Sequence, residues 1–282
     1  MVEAVCNPLV ASMYPDKKTK MLNRFHIWFP GGIVIGSIIG YVLMDVLGLG
    51  WQFLVSTLFI PLAVYGFLFV GQAFPQTERV QMGVSARQSA MSLLTPLYLF
   101  VGFCMLLSAA TELGTTQRIE SLLSATGVNA LLVLAFINGI MMIGRAMAGS
   151  IANRISTVGM LWFSAIFSFI GLQLLTMASG GFVFIAAAVF AVGVTFFWPT
   201  TLALISERLP ESGALGLSIM GGLGMLSVSF VLPIMGRILD NASGAEALRT
   251  MSILPAILIV LYGGLFFVMR SRAGAPAGSA TH

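Results

Sequence analysis

The chain contains 282 residues, of which 58% are hydrophobic and 9% are charged, and its mean hydropathy is +0.98. A soluble domain carries about 25% charged residues, because polar side chains must cover its core. The composition therefore excludes a soluble enzyme and a disordered chain. The net charge is +4, but the basic residues are scattered along the chain and predict no basic patch for nucleic acid. We predict an integral membrane protein.

Eight apolar segments are each long enough to cross a bilayer, which requires about 20 residues. Apolar runs of this length are typical of transmembrane helices rather than of buried strands. A shorter apolar piece over residues 1–13 precedes them, and we interpret it as the end of a helix whose start is absent. The predicted spans are residues 23–44, 50–71, 93–113, 127–148, 157–177, 180–203, 213–238 and 250–270.

Lysine and arginine predict the orientation, because cytoplasmic loops carry an excess of both. Placing residues 14–22 in the cytoplasm puts eleven of the 14 basic residues on that side and leaves Arg118, Arg237 and Arg249 outside. The short chain with few glycosylation sites fits a multi-pass protein of a bacterial inner membrane. Its C-terminus, with a flexible tail over residues 271–282, is predicted to be cytoplasmic.

Two stretches of the chain resemble each other and predict an internal repeat. Pro8 precedes the Gly-Gly pair at 31–32 by 23 residues, and Pro199 precedes the pair at 221–222 by 22 residues. Both copies cross the membrane inward and then return, which is the parallel repeat found in the two halves of major facilitator transporters. Three helices precede the second copy and none precedes the first, so symmetry predicts three further helices upstream.

The repeat also divides the chain into domains. Residues 1–71 are predicted to be the remainder of an N-terminal half, with the end of helix four and helices five and six. Residues 72–92 are less apolar and favour a cytoplasmic linker. Residues 93–270 form a C-terminal half of six helices. The predicted fold is an all-α membrane protein with eight full transmembrane helices and one partial helix.

The motifs around the repeat resemble the fucose:proton symporters, a sugar-transporting family of the major facilitator superfamily. Glu3–Pro8 matches the family pattern E-x-x-x-N-P, and Leu22-Asn23 follows after a short loop. Ala110–Gly114 is similar to the pattern that ends helix seven, although Ala110 stands where glycine is usual. Gly144-Arg145 and Asn153-Arg154 resemble the superfamily signature between helices eight and nine. The resemblance implies a major facilitator fold, represented here by helices four to twelve of twelve.

Glu3 and Asn7 are spaced by four residues and therefore share one helix face. A carboxylate inside a membrane span is costly and points to a function, such as binding and releasing a proton. The resemblance implies proton coupling by Glu3 and substrate binding or helix bending at Asn7. The alternative is that Glu3 lies at the frayed start of a truncated helix and is simply solvated.

His26 and Glu112 are the next candidate substrate ligands. The resemblance places His26 where related sugar symporters carry an amide in the cavity, and the alternative is a histidine at the membrane interface. Glu112 lies near the outer end of its span and is predicted to belong to an outer gate or substrate site. The alternative is an interfacial carboxylate in water.

Three more candidates lie within the C-terminal half. Asn138 is a lone polar residue in the middle of a span, which indicates either a cavity ligand or a hydrogen bond between helices. Thr195 and Trp198 flank Pro199, which bends a helix. The indole of Trp198 offers a face for stacking on a sugar and one N–H donor, and the alternative is a packed aromatic residue beside a kink.

Arg145, Arg154 and Glu207 are predicted at the cytoplasmic ends of helices. We expect Glu207 to pair with Arg145 and such pairs to close the cytoplasmic side until the transporter opens. The alternative is ordinary anchoring of basic residues at the membrane surface.

Together these features predict a secondary transporter that moves a sugar or related neutral polyol by alternating access, driven by protons, with sodium left open. No arginine or lysine is expected in the middle of a span, which argues against an anionic substrate. We expect a monomer with a sugar-like substrate and the bilayer as partners, and no cofactor or metal. The alternatives are a non-transporting fragment and a major facilitator transporter of a different solute. A membrane enzyme is disfavoured, because no nucleophile–base or metal-ligating set is visible.

Overall fold

The computed structural model describes residues 2–274, and within them every regular element is helical. The helices are α1 (Val2–Met13), α2 (Lys18–Phe25), α3 (Trp28–Gly40), α4 (Trp51–Ser56), α5 (Phe59–Phe69), α6 (Glu78–Gln81), α7 (Ala86–Ser92), α8 (Pro96–Ala109), α9 (Thr115–Gln117), α10 (Ile119–Leu123), α11 (Ala130–Ile155), α12 (Thr157–Thr176), α13 (Phe182–Val194), α14 (Phe197–Arg208), α15 (Gly213–Asn241), α16 (Gly244–Met251) and α17 (Ile253–Gly274). Two π-helical turns, Tyr41–Val46 and Ala110–Gly114, interrupt this series.

Eight helical segments among the described residues are long and apolar enough to cross a membrane, and Val2–Met13 is a shorter apolar helix before them. The predicted all-α membrane fold, with eight full spans and one partial helix, is therefore confirmed. The segments are Pro15–Met44, Trp51–Phe69, Pro96–Gln117, Ala130–Ile155, Thr157–Thr176, Phe182–Arg208, Pro210–Asn241 and Gly244–Ser271.

The largest shift of a boundary is in the first full span, which begins at Pro15 instead of residue 23. Hydropathy marks where a helix becomes apolar, whereas the backbone becomes helical earlier, over the basic and amphipathic α2. The predicted linker also contains helices α6 and α7, and Ser85 caps α7 with its side chain.

The first part of the predicted flexible tail, residues 271–274, is not a flexible segment. Helix α17 continues through residues 271–274, so this part is helical. Residues 275–282, the rest of the predicted flexible tail, lie outside the described residues.

The core lies mainly in the C-terminal part of the bundle, where α12 and α13 approach closely. A Cβ atom added at Gly193 would lie 2.2 Å from the backbone nitrogen of Ser168, and one at Gly171 would lie 2.3 Å from that of Phe190. Only glycine permits this approach, which is the usual role of small residues between membrane helices.

The N-terminal helices α1–α3 pack against helices of this C-terminal part. Helix α1 packs on α14 and α15, α2 packs on α11 and α14, and α3 packs on α11. Helices α4 and α5 bury none of their residues. The two copies of the repeat therefore face each other, with the Pro8 helix against the helices that carry Pro199 and the second Gly-Gly pair.

Candidate functional site

A cavity of about 420 Å³ lies between α1–α3 and the C-terminal helices. This volume is within the range of small-molecule sites in proteins. Four predicted site residues line it together: Glu3, Asn7, His26 and Trp198. The full lining consists of Glu3, Ala4, Asn7, His26, Phe29, Leu113, Gln117, Trp198, Leu217, Ser218, Gly221, Gly222 and Met225.

Glu3 and Trp198 meet across this cavity from the two parts of the bundle. The indole Nε1 of Trp198 donates a hydrogen bond of 3.0 Å to Oε2 of Glu3. The Glu3 side chain is 38% exposed, so its carboxylate is bound by Trp198 and is still reachable from the cavity. The interpretation of Glu3 as a residue with no partner other than solvent does not describe this geometry.

His26 connects Glu3 to Asn7. Its Nε2 lies 3.0 Å from Oδ1 of Asn7, and its Nδ1 lies 3.8 Å from Oε1 of Glu3. His26 caps the C-terminal end of α2, and the spacing of Glu3 and Asn7 on α1 directs both towards the ring. His26 and Asn7 are buried, which places the histidine inside the bundle rather than at its surface.

Arg145 was predicted at the cytoplasmic end of its helix as a gate residue that pairs with Glu207. This position and this pairing are wrong, because Arg145 is buried inside the bundle. It is 1% exposed, and it lies ten residues before the end of the long helix α11. Its guanidinium donates through Nε to the carbonyl of Thr195 at 2.9 Å, through Nη1 to the carbonyl of His26 at 3.0 Å, and through Nη2 to Oε1 of Glu112 at 3.1 Å. The chain therefore does contain an arginine inside a span, and its partner is Glu112 instead of Glu207.

Glu112 is also buried instead of interfacial, at 2% exposure, and it does not line the cavity. It lies in the π-helical turn Ala110–Gly114, and such turns occur frequently at functional sites. Its ion pair with Arg145 neutralises two charges that would each be costly to bury alone. Through Arg145, Glu112 supports the backbone of His26, which lines the cavity.

Asn138 and Thr195 are buried but lie outside the cavity lining. The side-chain amide of Asn138 donates to the carbonyl of Leu134 at 2.8 Å, and the hydroxyl of Thr195 donates to the carbonyl of Ala191 at 2.6 Å. Each side chain thus donates a hydrogen bond to a carbonyl four residues back on its own chain. A polar residue in the middle of a span is therefore not by itself a sign of a cavity.

The predicted cytoplasmic end of the bundle is held by contacts from α2. The hydroxyl of Thr19 donates to Glu207, and Thr157 donates to the same carboxylate at 3.0 Å. Nζ of Lys18 donates to the carbonyl of Ser206 at 2.8 Å. Glu207 thus joins the two parts of the bundle with hydroxyl partners, whereas Arg154 forms no ion pair with a described residue. Gating roles for Arg154 and Glu207 stay predictions.

Two polar residues of the lining, Gln117 and Ser218, were not predicted. Ser218 precedes Gly222 by four residues, so both lie on one face of α15. The second Gly-Gly pair of the repeat could therefore have indicated Ser218 as a neighbour on the same face. Its hydroxyl donates to the carbonyl of Ala4 at 3.1 Å. Gln117 follows the π-helical turn, which rotates the helix face in a way that spacing alone does not predict.

Comparisons with known proteins agree with this architecture. The family model described as Major Facilitator Superfamily matches residues 1–214. A crystal structure of the E. coli fucose:proton symporter, FucP, is similar with a TM-score of 0.74 and 16% identity, covering 93% of this chain and 72% of that one. At this identity the likeness shows the fold. No curated protein matches the chain.

Proposed function

The chain belongs to the Major Facilitator Superfamily, a superfamily of secondary transporters, and we propose that it carries a neutral sugar or polyol together with a proton. The observation that supports this proposal best is the hydrogen bond between Glu3 and Trp198. It joins the one acidic side chain of the cavity lining to the aromatic ring best suited to stack on a sugar.

The composition of the lining supports a neutral, hydroxyl-bearing substrate. Hydrogen-bonding groups come from Asn7, His26, Gln117 and Ser218, and the walls are mainly apolar or glycine. Arg145 does not alter this argument, because its charge is paired with Glu112 outside the lining. A sugar presents both hydroxyls and apolar C–H faces, which match these two kinds of surface.

Proton coupling follows from the cost of enclosing a carboxylate. While Glu3 is ionised, closing the bundle around the cavity would remove a charge from water, which costs several kcal/mol or more. Protonation removes this charge, and a bound sugar replaces the lost water with hydrogen bonds. The loaded, protonated state therefore closes more readily than the state with either partner alone, which is the condition for symport.

Proton binding also changes the position of Trp198. A hydrogen bond to an ionised carboxylate is roughly twice as strong as one to a neutral group. When Glu3 becomes neutral, the indole is held less tightly and is free to stack on the substrate. The proposal includes a monomer in a bacterial inner membrane with a cytoplasmic C-terminus.

A second candidate is a transporter of a small cationic solute. It is favoured by one observation: among the described residues of the lining, Glu3 is the only carboxylate, and no lysine or arginine accompanies it. In that case Glu3 would pair with the substrate instead of a proton.

Uptake into liposomes containing the chain tests these proposals. Radiolabelled hexoses, deoxyhexoses, hexitols and organic cations are offered with and without a pH gradient, acidic outside. We expect one neutral hydroxylated solute to accumulate only with the gradient and to carry protons inward. Accumulation of a cation instead would favour the second candidate, and no transport of any solute would favour the non-transporting fragment.

A further inference from the structure

A second large cavity, of about 890 Å³, lies at the predicted cytoplasmic end of the bundle, and it shares no lining residue with the cavity of the transport site. Three arginines from three different helices line it: Arg154 at the end of α11, Arg208 at the end of α14 and Arg270 near the end of α17. We refer to this space as the arginine cavity.

The three arginines have no charge or hydrogen-bond partner among the described residues. All three are exposed, and none forms an ion pair or side-chain hydrogen bond with any residue of the described part of the chain. Glu207, which directly precedes Arg208 in the sequence, is not part of the lining, and it accepts hydrogen bonds from Thr19 and Thr157. The arginine cavity therefore has three positive charges without an acidic residue in its wall.

Apart from Asn153, Ser156 and Thr157, the rest of the wall is apolar or glycine, and most of it belongs to the spans Thr157–Thr176 and Gly244–Ser271. Trp162 stacks on Phe266 with ring centroids 5.4 Å apart, and Phe163, Ile166 and Leu204 complete this surface. A cavity whose wall combines three guanidinium groups with aromatic and aliphatic side chains matches a molecule with an anionic head and a hydrocarbon body.

We propose that the arginine cavity binds one anionic phospholipid, with its phosphate among Arg154, Arg208 and Arg270 and its acyl chains along Trp162 and Phe266. Arginine suits phosphate because its planar guanidinium donates two parallel hydrogen bonds. Basic pockets between membrane helices on the cytoplasmic side are known to take acidic headgroups. The apolar wall distinguishes a lipid from free phosphate, since inorganic phosphate would leave that wall uncovered.

Lipid retention tests this proposal without measuring transport. The purified chain in detergent is mixed with equal amounts of palmitoyl-oleoyl phosphatidylglycerol and phosphatidylcholine, and bound lipids are counted by native mass spectrometry. We expect one phosphatidylglycerol to be retained preferentially. Because each basic residue contributes roughly a fivefold factor, the variant Arg154→Gln/Arg208→Gln/Arg270→Gln should lose at least about tenfold of that preference.

The matched control removes the same charge from the other end of the bundle. The variant Arg118→Gln/Arg237→Gln/Arg249→Gln also loses three arginines and should keep the preference. An equal loss in both variants would overturn the proposal, because net charge alone would then explain retention. Displacement of the lipid by millimolar inorganic phosphate would also overturn it, in favour of a site for free phosphate.

Fluorescence locates the bound lipid. Phosphatidylglycerol with brominated acyl chains should quench the emission of Trp162, and the quenched component should be missing in Trp162→Phe. Quenching that persists unchanged in Trp162→Phe would place the retained lipid elsewhere and contradict the proposal.

Discussion

The indole Nε1 of Trp198 donates a hydrogen bond of 3.0 Å to Oε2 of Glu3, and this bond crosses the cavity between the two parts of the bundle. The two residues are separated by 195 positions in the sequence. Their contact links the candidate proton site to the candidate stacking surface for a sugar. Any change in the charge of Glu3 therefore acts directly on Trp198.

Trp198→Phe tests the hydrogen bond separately from the aromatic face. The phenyl ring keeps a stacking surface but has no N–H, and a hydrogen bond to a charged group contributes about 1.5–3 kcal/mol. We expect gradient-driven uptake to fall by about tenfold or more, with the protein still folded. Trp51→Phe, on helix α4, which buries none of its residues, is the control and should leave uptake unchanged. Full activity in Trp198→Phe would show that the indole N–H has no part in transport.

His26 tests whether the cavity requires a hydrogen-bonding group at this position. His26→Gln restores the type of side chain that the resemblance assigns to related symporters, and it retains a donor and an acceptor for Asn7. We expect His26→Gln to transport with a changed preference among sugars and His26→Leu to lose transport. Competition by unlabelled sugars measures the preference. Equal activity in both variants would contradict a substrate-binding role.

The Arg145–Glu112 pair predicts a non-additive effect on stability. Arg145→Gln leaves a buried carboxylate without its partner, which costs about 3–5 kcal/mol. We expect the melting temperature in detergent to fall by roughly 6 °C or more. The double variant Arg145→Gln/Glu112→Gln should recover part of this loss, because no unpaired charge remains. Arg237→Gln is the control on an exposed arginine, and additive losses in the double variant would contradict the pairing.

The contact of Thr19 with Thr157 predicts a way to arrest the cycle. Their hydroxyl oxygens lie 3.1 Å apart on the two parts of the bundle, so sulfur atoms placed at both positions would lie close to each other. With Cys6 and Cys104 replaced by alanine, we expect oxidation of the Thr19→Cys/Thr157→Cys variant to stop transport and reduction to restore it. The two single-cysteine variants are the controls. Unchanged transport by the cross-linked protein would contradict opening at this end.

The helices were largely predictable from the sequence, because spans of about 20 apolar residues have few other solutions in a bilayer. The internal repeat also predicted part of the candidate site. It linked the Glu3–Pro8 motif to the helix of Trp198, and those elements do line one cavity. What spacing could not predict was where each polar side chain finds its partner.

Arg145 illustrates this limit. A basic residue in the last third of a membrane helix is typical of the cytoplasmic surface, and Glu207 was a reasonable partner by position. The observed partner, Glu112, lies in a π-helical turn whose extra residue changes the direction of the side chain. Asn138 and Thr195 lie outside the cavity lining for a related reason, since both donate hydrogen bonds within their own segment, and their roles in substrate binding stay predictions.

Glu3→Gln tests the central proposal most directly, when two modes of transport are measured on the same liposomes. Glutamine keeps the size and an acceptor for Trp198 but cannot release a proton. We predict that sugar exchange between equal concentrations persists, because it requires no net proton movement, while accumulation driven by a pH gradient is lost. Accumulation at the rate of the unchanged chain would contradict proton coupling through Glu3.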